Sequence, residues 1–461
     1  MTFADKVHDT VRRNSLPQPG AKMIVALSGG ADSVALLRVL LDLGYKCTAA
    51  HFNFHLRGGE SVRDERFVRN LCRNMDIPLK VAEADTIAYA AEKGISLEMA
   101  ARDLRYDFFG SLSRELCAPV AVAHHRDDNA ETLLLNLLRG TGLRGLCGMA
   151  YKSGRVCSSG GKPAKFTVVR PLLDVSRWEI SEYLKGLGQD FVTDSSNLVA
   201  DVKRNRIRLE VIPMLEKINL SLCDTLQRET AKFTEAYNIY KEAVGNVLGN
   251  LKTNAYGDEI LDAAVLRGCA SPESVLFEWL SPKGFNETQI NKASQNGNAE
   301  MKRLESEDHV LHFNSRRYVL MSRESLRECD VVLLDRDKKA TVGIAELEIA
   351  DVQGFPPKEK LVDPFSAYIN ADDIKFPLVV RRVAEGDRFV PFGMKGSKLV
   401  SDYLKDCKVP IEERLRQLVV CSGGKIVWLV GRRVDNRVRV FPDTPNIICI
   451  SARNKFVSCG K

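Results

Sequence analysis

The chain has 461 residues, 44% of them hydrophobic and 28% charged, the composition of a globular protein large enough for about two to four domains. No apolar run approaches the roughly 18 residues that span a bilayer, and the polar stretch from Met1 to Arg13 lacks the apolar core of a secretory leader, so the cytoplasm is the expected compartment. The net charge of +7 is concentrated between Arg381 and Val440, where 14 Lys and Arg face 7 Asp and Glu; a polyanion-binding module and a charge-rich solvated surface account for it equally from composition alone.

In chain order, Met23–Leu27 reads as a first strand, with a helix from about Ser33 to Leu43, and Cys47 to Phe54 as a second strand. A polar loop, Leu56 to Ser61, leads into a helix through Cys72 to Asp76. Leu79 to Ala82 is a third strand, Glu98 to Leu116 a helix, Val120 to Ala123 a buried strand and Glu131 to Leu138 a helix. A further strand ends at Val168 to Arg170, and Arg177 to Leu187 is helical. This alternation predicts an α/β fold: a doubly wound parallel sheet with ligands at the carboxyl ends of its strands. Tyr151 to Lys165, rich in Gly and Ser with Lys152, Arg155, Lys162 and Lys165, reads as a flexible basic loop. Helical stretches follow from Ile212 to about Leu251 and at Ala263–Leu266, Pro272–Leu280 and Glu287–Ala293, then strands at His309–Asn314 and Tyr318–Ser322. The last strands expected are Leu378–Arg382, Ile426–Val430, Val438–Phe441 and Ile447–Ile450, with a helix at Val400–Leu404. The predicted domains are 1–215, a parallel-sheet domain; 216–330, a helical connector and small domain; 331–375, a linker region containing Gly354-Phe355-Pro356-Pro357-Lys358; and 376–461, a basic α+β domain.

Two stretches carry chemistry. Ser28-Gly29-Gly30-Ala31-Asp32-Ser33 lies between the first strand and its helix. Glycines there accept positive φ and let backbone N–H groups close on an anion at a helix N-terminus. Ser28 and Ser33 add hydroxyls, and Asp32 adds a carboxylate able to hold Mg²⁺ beside phosphate oxygens. No G-x-x-x-x-G-K-[ST] occurs, which sets the loop apart from that of the common nucleotide triphosphatases. The second stretch is Ala123-His124-His125-Arg126-Asp127-Asp128-Asn129-Ala130-Glu131-Thr132, at another strand end. Asp128 and Glu131 are three apart, hence on one helix face, where they suit a shared Mg²⁺ or a substrate amine; His124 suits phosphate contact or proton transfer. A helix cap with a capping box is the plainer reading of the same residues. Arg102 and Arg105 share a helix face and suit phosphate, or a surface ion pair. Arg204, Arg206 and Arg208 alternate, as on a polar strand edge, or contact nucleic-acid phosphate.

S-G-G-x-D-S resembles the signature of the PP-loop ATP pyrophosphatases, which use ATP to adenylate a carbonyl oxygen. H-H-x-x-D-x-x-E-T followed by Asn136 to Leu146 resembles the tRNA(Ile)-lysidine synthetases. So do His51-Phe52-Asn53-Phe54-His55-Leu56-Arg57 with Ser61 and Asp64, Glu98-Met99-Ala100-Ala101-Arg102-Asp103-Leu104-Arg105-Tyr106, Arg170-Pro171-Leu172-Leu173, Asp194-Ser195-Ser196-Asn197 and Arg204–Arg208. In the last domain Gly386 to Phe389, Gly393 to Gly396, Lys398, Ser401-Asp402 and Gly431-Arg432-Arg433 are similar to the C-terminal domain of that family. Gly58-Gly59-Glu60 departs from the consecutive acids often found there. The resemblance implies ligation of free L-lysine to C2 of the wobble cytidine of an isoleucine tRNA with a CAU anticodon, through an adenylated base, with AMP and pyrophosphate released, which changes codon reading from AUG to AUA. It implies catalytic roles for Asp32, His124, Asp128, Glu131, Arg102 and Arg204; ATP binding by Ser28, Gly29, Gly30, Ala31, Asp32, Ser33, His51 and Asn53; Mg²⁺ on Asp32 and Asp128; and tRNA contact by the basic C-terminal domain. The assembly is left open, with a homodimer among the options. The alternatives are a tRNA cytidine thiolase, against which the absence of any C-x-x-C among 12 Cys argues, and a non-catalytic tRNA-binding protein, against which the intact loop argues.

Overall fold

A strand that is apolar on both faces must be covered on both sides, and Met23-Ile24-Val25-Ala26 is such a run. In the structure, a computed structural model, Met23 and Val25 enter one core and Ile24 another. All residues are described except 57, 158–163, 194–202, 296, 298, 328–331, 337–338, 344, 395 and 455–461. Arg57, Asp194 to Asn197, Lys395 and the tip of the Gly/Ser-rich loop therefore lie outside the described residues. The chain forms two units, Met1–Tyr240 and Lys241–Lys461.

The first unit runs α1 (Phe3–Arg13), β1 (Lys22–Ala26), α2 (Ala31–Asp42), β2 (Lys46–Asn53), α3 (Gly59–Asn74), β3 (Leu79–Glu83), α4 (Thr86–Lys93), α5 (Leu97–Leu116), β4 (Val120–Ala121), α6 (Arg126–Arg139), α7 (Leu143–Leu146), β5 (Lys152–Cys157), β6 (Ala164–Val169) and α8 (Arg177–Gly186). The strand order is β3-β2-β1-β4-β6-β5, parallel except for β5. Residues of α1, α2, α3 and α8 build one core, among them Val7, Leu36, Leu40, Val68 and Ile180; Phe109 and Leu112 of α5 build the other with Val120, Phe166 and Val168. The doubly wound sheet expected from the alternation is present. After β1 the chain moves to β2 and β3 on one side, then returns to β4 on the other. The switch point between β1 and β4 opens a crevice at their carboxyl ends.

One element in this unit differs from expectation. The stretch read as a flexible loop from Tyr151 to Lys165 contains β5, which pairs antiparallel with β6 from Lys152↔Val169 to Cys157↔Ala164. Its sequence, Lys-Ser-Gly-Arg-Val-Cys, has no hydrophobic alternation because β5 is an edge strand with one open face.

In the second unit, five antiparallel strands carry helices Ala263–Arg267, Pro272–Leu280 and Glu287–Ser294. Two four-stranded sheets follow and share a core that includes Leu347, Ile349, Ile369, Val380, Val420, Trp428, Ile448 and Ile450. The 331–375 stretch, expected as a linker, supplies strands of these sheets: Ala345–Val352 and Ser366–Asn370 flank Ile447–Asn454 on either side. Glu346-Leu347-Glu348-Ile349 carries the period-2 signal of a half-buried strand. The strand expected at Val438–Phe441 is replaced by a single 3₁₀ turn, Asn436–Val438, capped by the buried Asp435.

This unit also buries an ion pair. Arg416 Nη1 and Nη2 donate to Asp258 Oδ2 and Oδ1 at 2.6 and 2.8 Å, the two side chains being 4% and 1% exposed, and the guanidinium lies 4.6 Å from the Tyr256 ring. Removing one partner strands a desolvated charge. Asp258→Ala is expected to lower stability by about 3–5 kcal/mol in urea denaturation followed by tryptophan fluorescence. A change below about 1 kcal/mol would mean that water already solvates the pair.

Candidate active site

Gly30 is the N-cap of α2, and Gly29 before it has φ +94°, the left-handed setting that favours glycine. One hydroxyl ties the turn together. Ser33 Oγ accepts from the N–H groups of Ser28 and Gly29 at 3.2 Å each and donates to Gly30 O at 2.9 Å. The backbone is thereby held concave at the positive end of a helix, the arrangement that receives phosphate. Ser28, Gly30, Ala31, Asp32 and Ser33 form one wall of a cleft of about 710 Å³, within the usual range for a small-molecule site.

Across the switch point, His124, Asp128, Arg105, Tyr106, Arg177, Arg204 and Arg208 form the other wall. Arg170 Nε donates to His124 Nδ1 at 3.3 Å. Burial, with the nearby guanidiniums of Arg170, Arg204 and Arg105, depresses the His124 pKa to about 4 against the pull of Asp128. The ring is therefore neutral near pH 7, and with Nδ1 accepting, Nε2 carries the proton and is a donor.

His125 is fully buried among three carboxylates. Asp127 Oδ2 is 3.4 Å from Nδ1, and Asp128 Oδ2 and Asp32 Oδ2 are 3.5 and 3.7 Å from Nε2. Burial disfavours the imidazolium, but the carboxylates outweigh it and raise the His125 pKa. Asp32 shows the converse. Burial raises its pKa, His125 opposes this, and Asp128 adds to it.

Asp128 and Glu131 bind two guanidiniums. Arg204 Nε donates to Glu131 Oε2 at 2.7 Å and its Nη2 to Asp128 Oδ1 at 3.2 Å; Arg208 Nε donates to Glu131 Oε1 at 2.5 Å and its Nη2 to Asp128 Oδ1 at 3.1 Å. Arg204 and Arg208 do not sit on a strand edge. Lys203–Arg206 is α-helical and Ile207–Val211 is a π-helical turn, so residues four apart share a face while Arg206 turns out to Glu210 at 3.6 Å.

For a divalent cation the donors are unequal. Asp128 already has both oxygens engaged, Oδ1 by the two arginines and Oδ2 by the His125 N–H at 3.1 Å. Asp32 makes no hydrogen bond among the described residues, and no cluster of three or more His, Cys, Asp or Glu there has a metal-site arrangement. Mg²⁺ commonly takes one or two carboxylates and completes its shell with phosphate and water. Asp32 fits that role; Asp128 fits it only if an arginine lets go.

Residues 2–215 match the model of the PP-loop domain and residues 378–450 that of the TilS substrate C-terminal domain. Over 442 residues the chain is 40% identical to a tRNA(Ile)-lysidine synthase of Bacteroides thetaiotaomicron, which spans 95% of this chain and 97% of that relative. The chain belongs to the tRNA(Ile)-lysidine synthase family. Members of the family from Porphyromonas gingivalis (37% identical over 465 residues, 95% of this chain and 96% of the relative) and Caldanaerobacter subterraneus (31% over 473 residues, 97% of each) match it equally completely.

In this lysidine synthase family member the cleft brings together Ser28, Gly30, Ala31, Asp32, Ser33, His124, Asp128 and Arg204. Five expected residues do not line it. Gly29 shapes the turn from behind, where a Cβ would meet Phe67 and Val68 at 3.4 Å. Glu131, 1% exposed, is used up by the arginines. His51 and Asn53 lie on the face of β2 opposite Phe52, because side chains alternate along a strand: His51 Nδ1 is 2.8 Å from Leu27 O, and Asn53 donates to Glu65 Oε2 at 2.8 Å. Arg102 is exposed beyond the cleft, whereas Arg105, one helical turn on, lines it. His125, Arg170 and Arg208 stand in stretches the sequence singles out, though without a role of their own, whereas nothing in the sequence marks Arg177 as a cleft residue.

Proposed function

We propose that this cleft adenylates the C2 oxygen of the wobble cytidine of a CAU-anticodon isoleucine tRNA and then admits free lysine. Family membership over nearly the full chain carries the reading, and the open phosphate-binding turn facing Asp32, His124 and the arginines supports it. A carbonyl oxygen is a poor leaving group. Attack by C2=O on the α-phosphorus of ATP releases pyrophosphate and turns that oxygen into the leaving group AMP. The ε-amine of lysine, having shed its ammonium proton, adds to C2, and the C–O bond to AMP breaks. The N–H groups of Ala31 to Ser33 at the start of α2 and the Ser28 hydroxyl hold phosphates, and Asp32 would hold Mg²⁺, which would supply charge neutralisation for the departing pyrophosphate. Neutral His124 donates from Nε2 to the transferring phosphoryl group. Arg204 and Arg208 oppose charge on the adenylate, and Arg177 is a carboxylate fork for the α-carboxyl of lysine. Asp128 and Glu131, already neutralised by the two arginines, act by positioning them. The basic segment 381–440 adds affinity for tRNA, and the cytoplasm is the compartment proposed for the reaction.

Radiolabelled lysine is expected to enter only CAU-anticodon isoleucine tRNA, in stoichiometry with AMP formed from ATP. Absence of lysine incorporation, with sulfur transfer or simple tRNA binding in its place, would overturn the reading.

A further inference from the structure

Three guanidinium groups surround one ring at the edge of the cleft. The Cζ atoms of Arg155, Arg102 and Arg105 lie 5.0, 5.2 and 5.7 Å from the centroid of Tyr106. They come from two elements, β5 and α5. Among the described residues none of the three is paired with a carboxylate, and Arg155 Nε is buried with no hydrogen-bond partner. One aromatic face offsets about 0.5–2 kcal/mol for a single cation and cannot balance three. Arg170 belongs to the same group: it donates to Ala150 O at 2.7 Å and Ser153 Oγ at 3.2 Å, which fixes the start of β5 beside His124. Burial and the neighbouring guanidiniums lower the pKa of both Arg105 and Arg170, and no carboxylate opposes the shift. Such a concentration of unpaired cations, with Arg105 and Arg155 partly buried, favours an anion opposite it.

The place of β5 says which anion. β5 is the edge strand, three positions from β1 in the sheet, about 14 Å at the usual strand spacing. The triphosphate is assigned to the turn that ends β1, which leaves Arg155, on the edge strand, for a second phosphate. The outer face of the strand, with exposed Lys152, adds positive charge along the same edge. We propose that Arg102, Arg105 and Arg155 around Tyr106 form a binding site for a backbone phosphate of the substrate RNA, with strand β5 (Lys152–Cys157) as its outer wall. The site rests on the reading above that a tRNA base enters the cleft.

Arg155→Ala in the full chain tests this, with tRNA affinity measured over a range of salt, ATP affinity by calorimetry, and lysine transfer at saturating tRNA. The expected result is a loss of tRNA affinity on the order of tenfold and a log K against log[salt] slope less negative by about 0.7. ATP affinity stays unchanged, and lysine transfer survives at saturating tRNA. Arg155→Gln, which keeps most of the side chain and loses the charge, should show the same loss of slope and provides the measurement if the alanine variant folds poorly, whereas Arg155→Lys, which keeps the charge, should retain the wild-type slope. Unchanged tRNA affinity and slope would overturn the proposal, as would a loss confined to ATP, which would assign the phosphate to the nucleotide. Failure of the wild-type protein to transfer lysine would defeat the functional reading instead, and the salt slope would still report on the phosphate site.

Discussion

Asp32→Ala is expected to abolish tRNA adenylation, lowering tRNA-dependent pyrophosphate release on the order of 10³-fold, the scale of losing one preorganised charge at a phosphoryl-transfer centre. The reason lies in the contrast between the two cleft carboxylates. Asp128 is committed to Arg204, Arg208 and the His125 N–H, whereas Asp32 stands in the first turn of α2, 39% exposed and 3.7 Å from His125 Nε2. It is the acid in contact with both the turn and solvent, and so the one available to a cation arriving with ATP. The fold should tolerate the change, because an acidic residue in a helix first turn contributes only about 0.3–1 kcal/mol. Thermal unfolding should move little while pyrophosphate release collapses. Activity within tenfold of wild type would remove Asp32 from the reaction. Asp32→Asn should be equally inactive, since the amide keeps the size and loses the charge.

Glu131→Gln should fail for a different reason. Its carboxylate is 1% exposed and accepts from Arg204 Nε, Arg208 Nε and Arg208 Nη2 at 2.7, 2.5 and 2.9 Å. Neutralising it leaves two guanidiniums sharing Asp128. Breaking a buried pair costs about 3–5 kcal/mol; Arg204 is 34% exposed and Arg208 16%, so solvent screening puts the expected loss near the lower end, about 3 kcal/mol. Hydrogen exchange should show opening of α6 together with the Lys203–Glu216 helical run, and kcat should fall with it because both arginines leave the cleft wall. A residue that bound the lysine amine directly would behave otherwise, with a raised KM for lysine and unaltered exchange. That outcome would restore the direct role expected from the motif.

These two carboxylates show how far the sequence could be read. Spacing alone put Asp128 and Glu131 on one helix face, and so it is. It could not show that the face is met by guanidiniums 73 to 80 residues further on. Alternation of Arg204, Arg206 and Arg208 suits contact with tRNA or phosphate, with a polar strand edge as the plainer alternative. The backbone instead is helical there, which puts residues 204 and 208 on one face and 206 off it. His51 and Asn53 failed as cleft residues through strand parity, since a motif names residues without saying which face of β2 looks into the crevice. The hairpin at β5 and the strands within 345–370 were missed where edge exposure or short length blurred the hydrophobic period.

The sequence by itself determined the α/β alternation, the phosphate-binding turn at Ser28–Ser33, the family and the location of the basic segment, because these rest on local periodicity, glycine stereochemistry and contiguous motifs. Only the tertiary structure decided which charges are spent and which are free. It places His125 among three acids, neutralises Asp128 and Glu131 with Arg204 and Arg208, leaves Asp32 open, and crowds three unpaired arginines around Tyr106. The physical reason is that charge pairing depends on distances of 3–4 Å between groups far apart in the chain, and sheet order and strand facing set those distances.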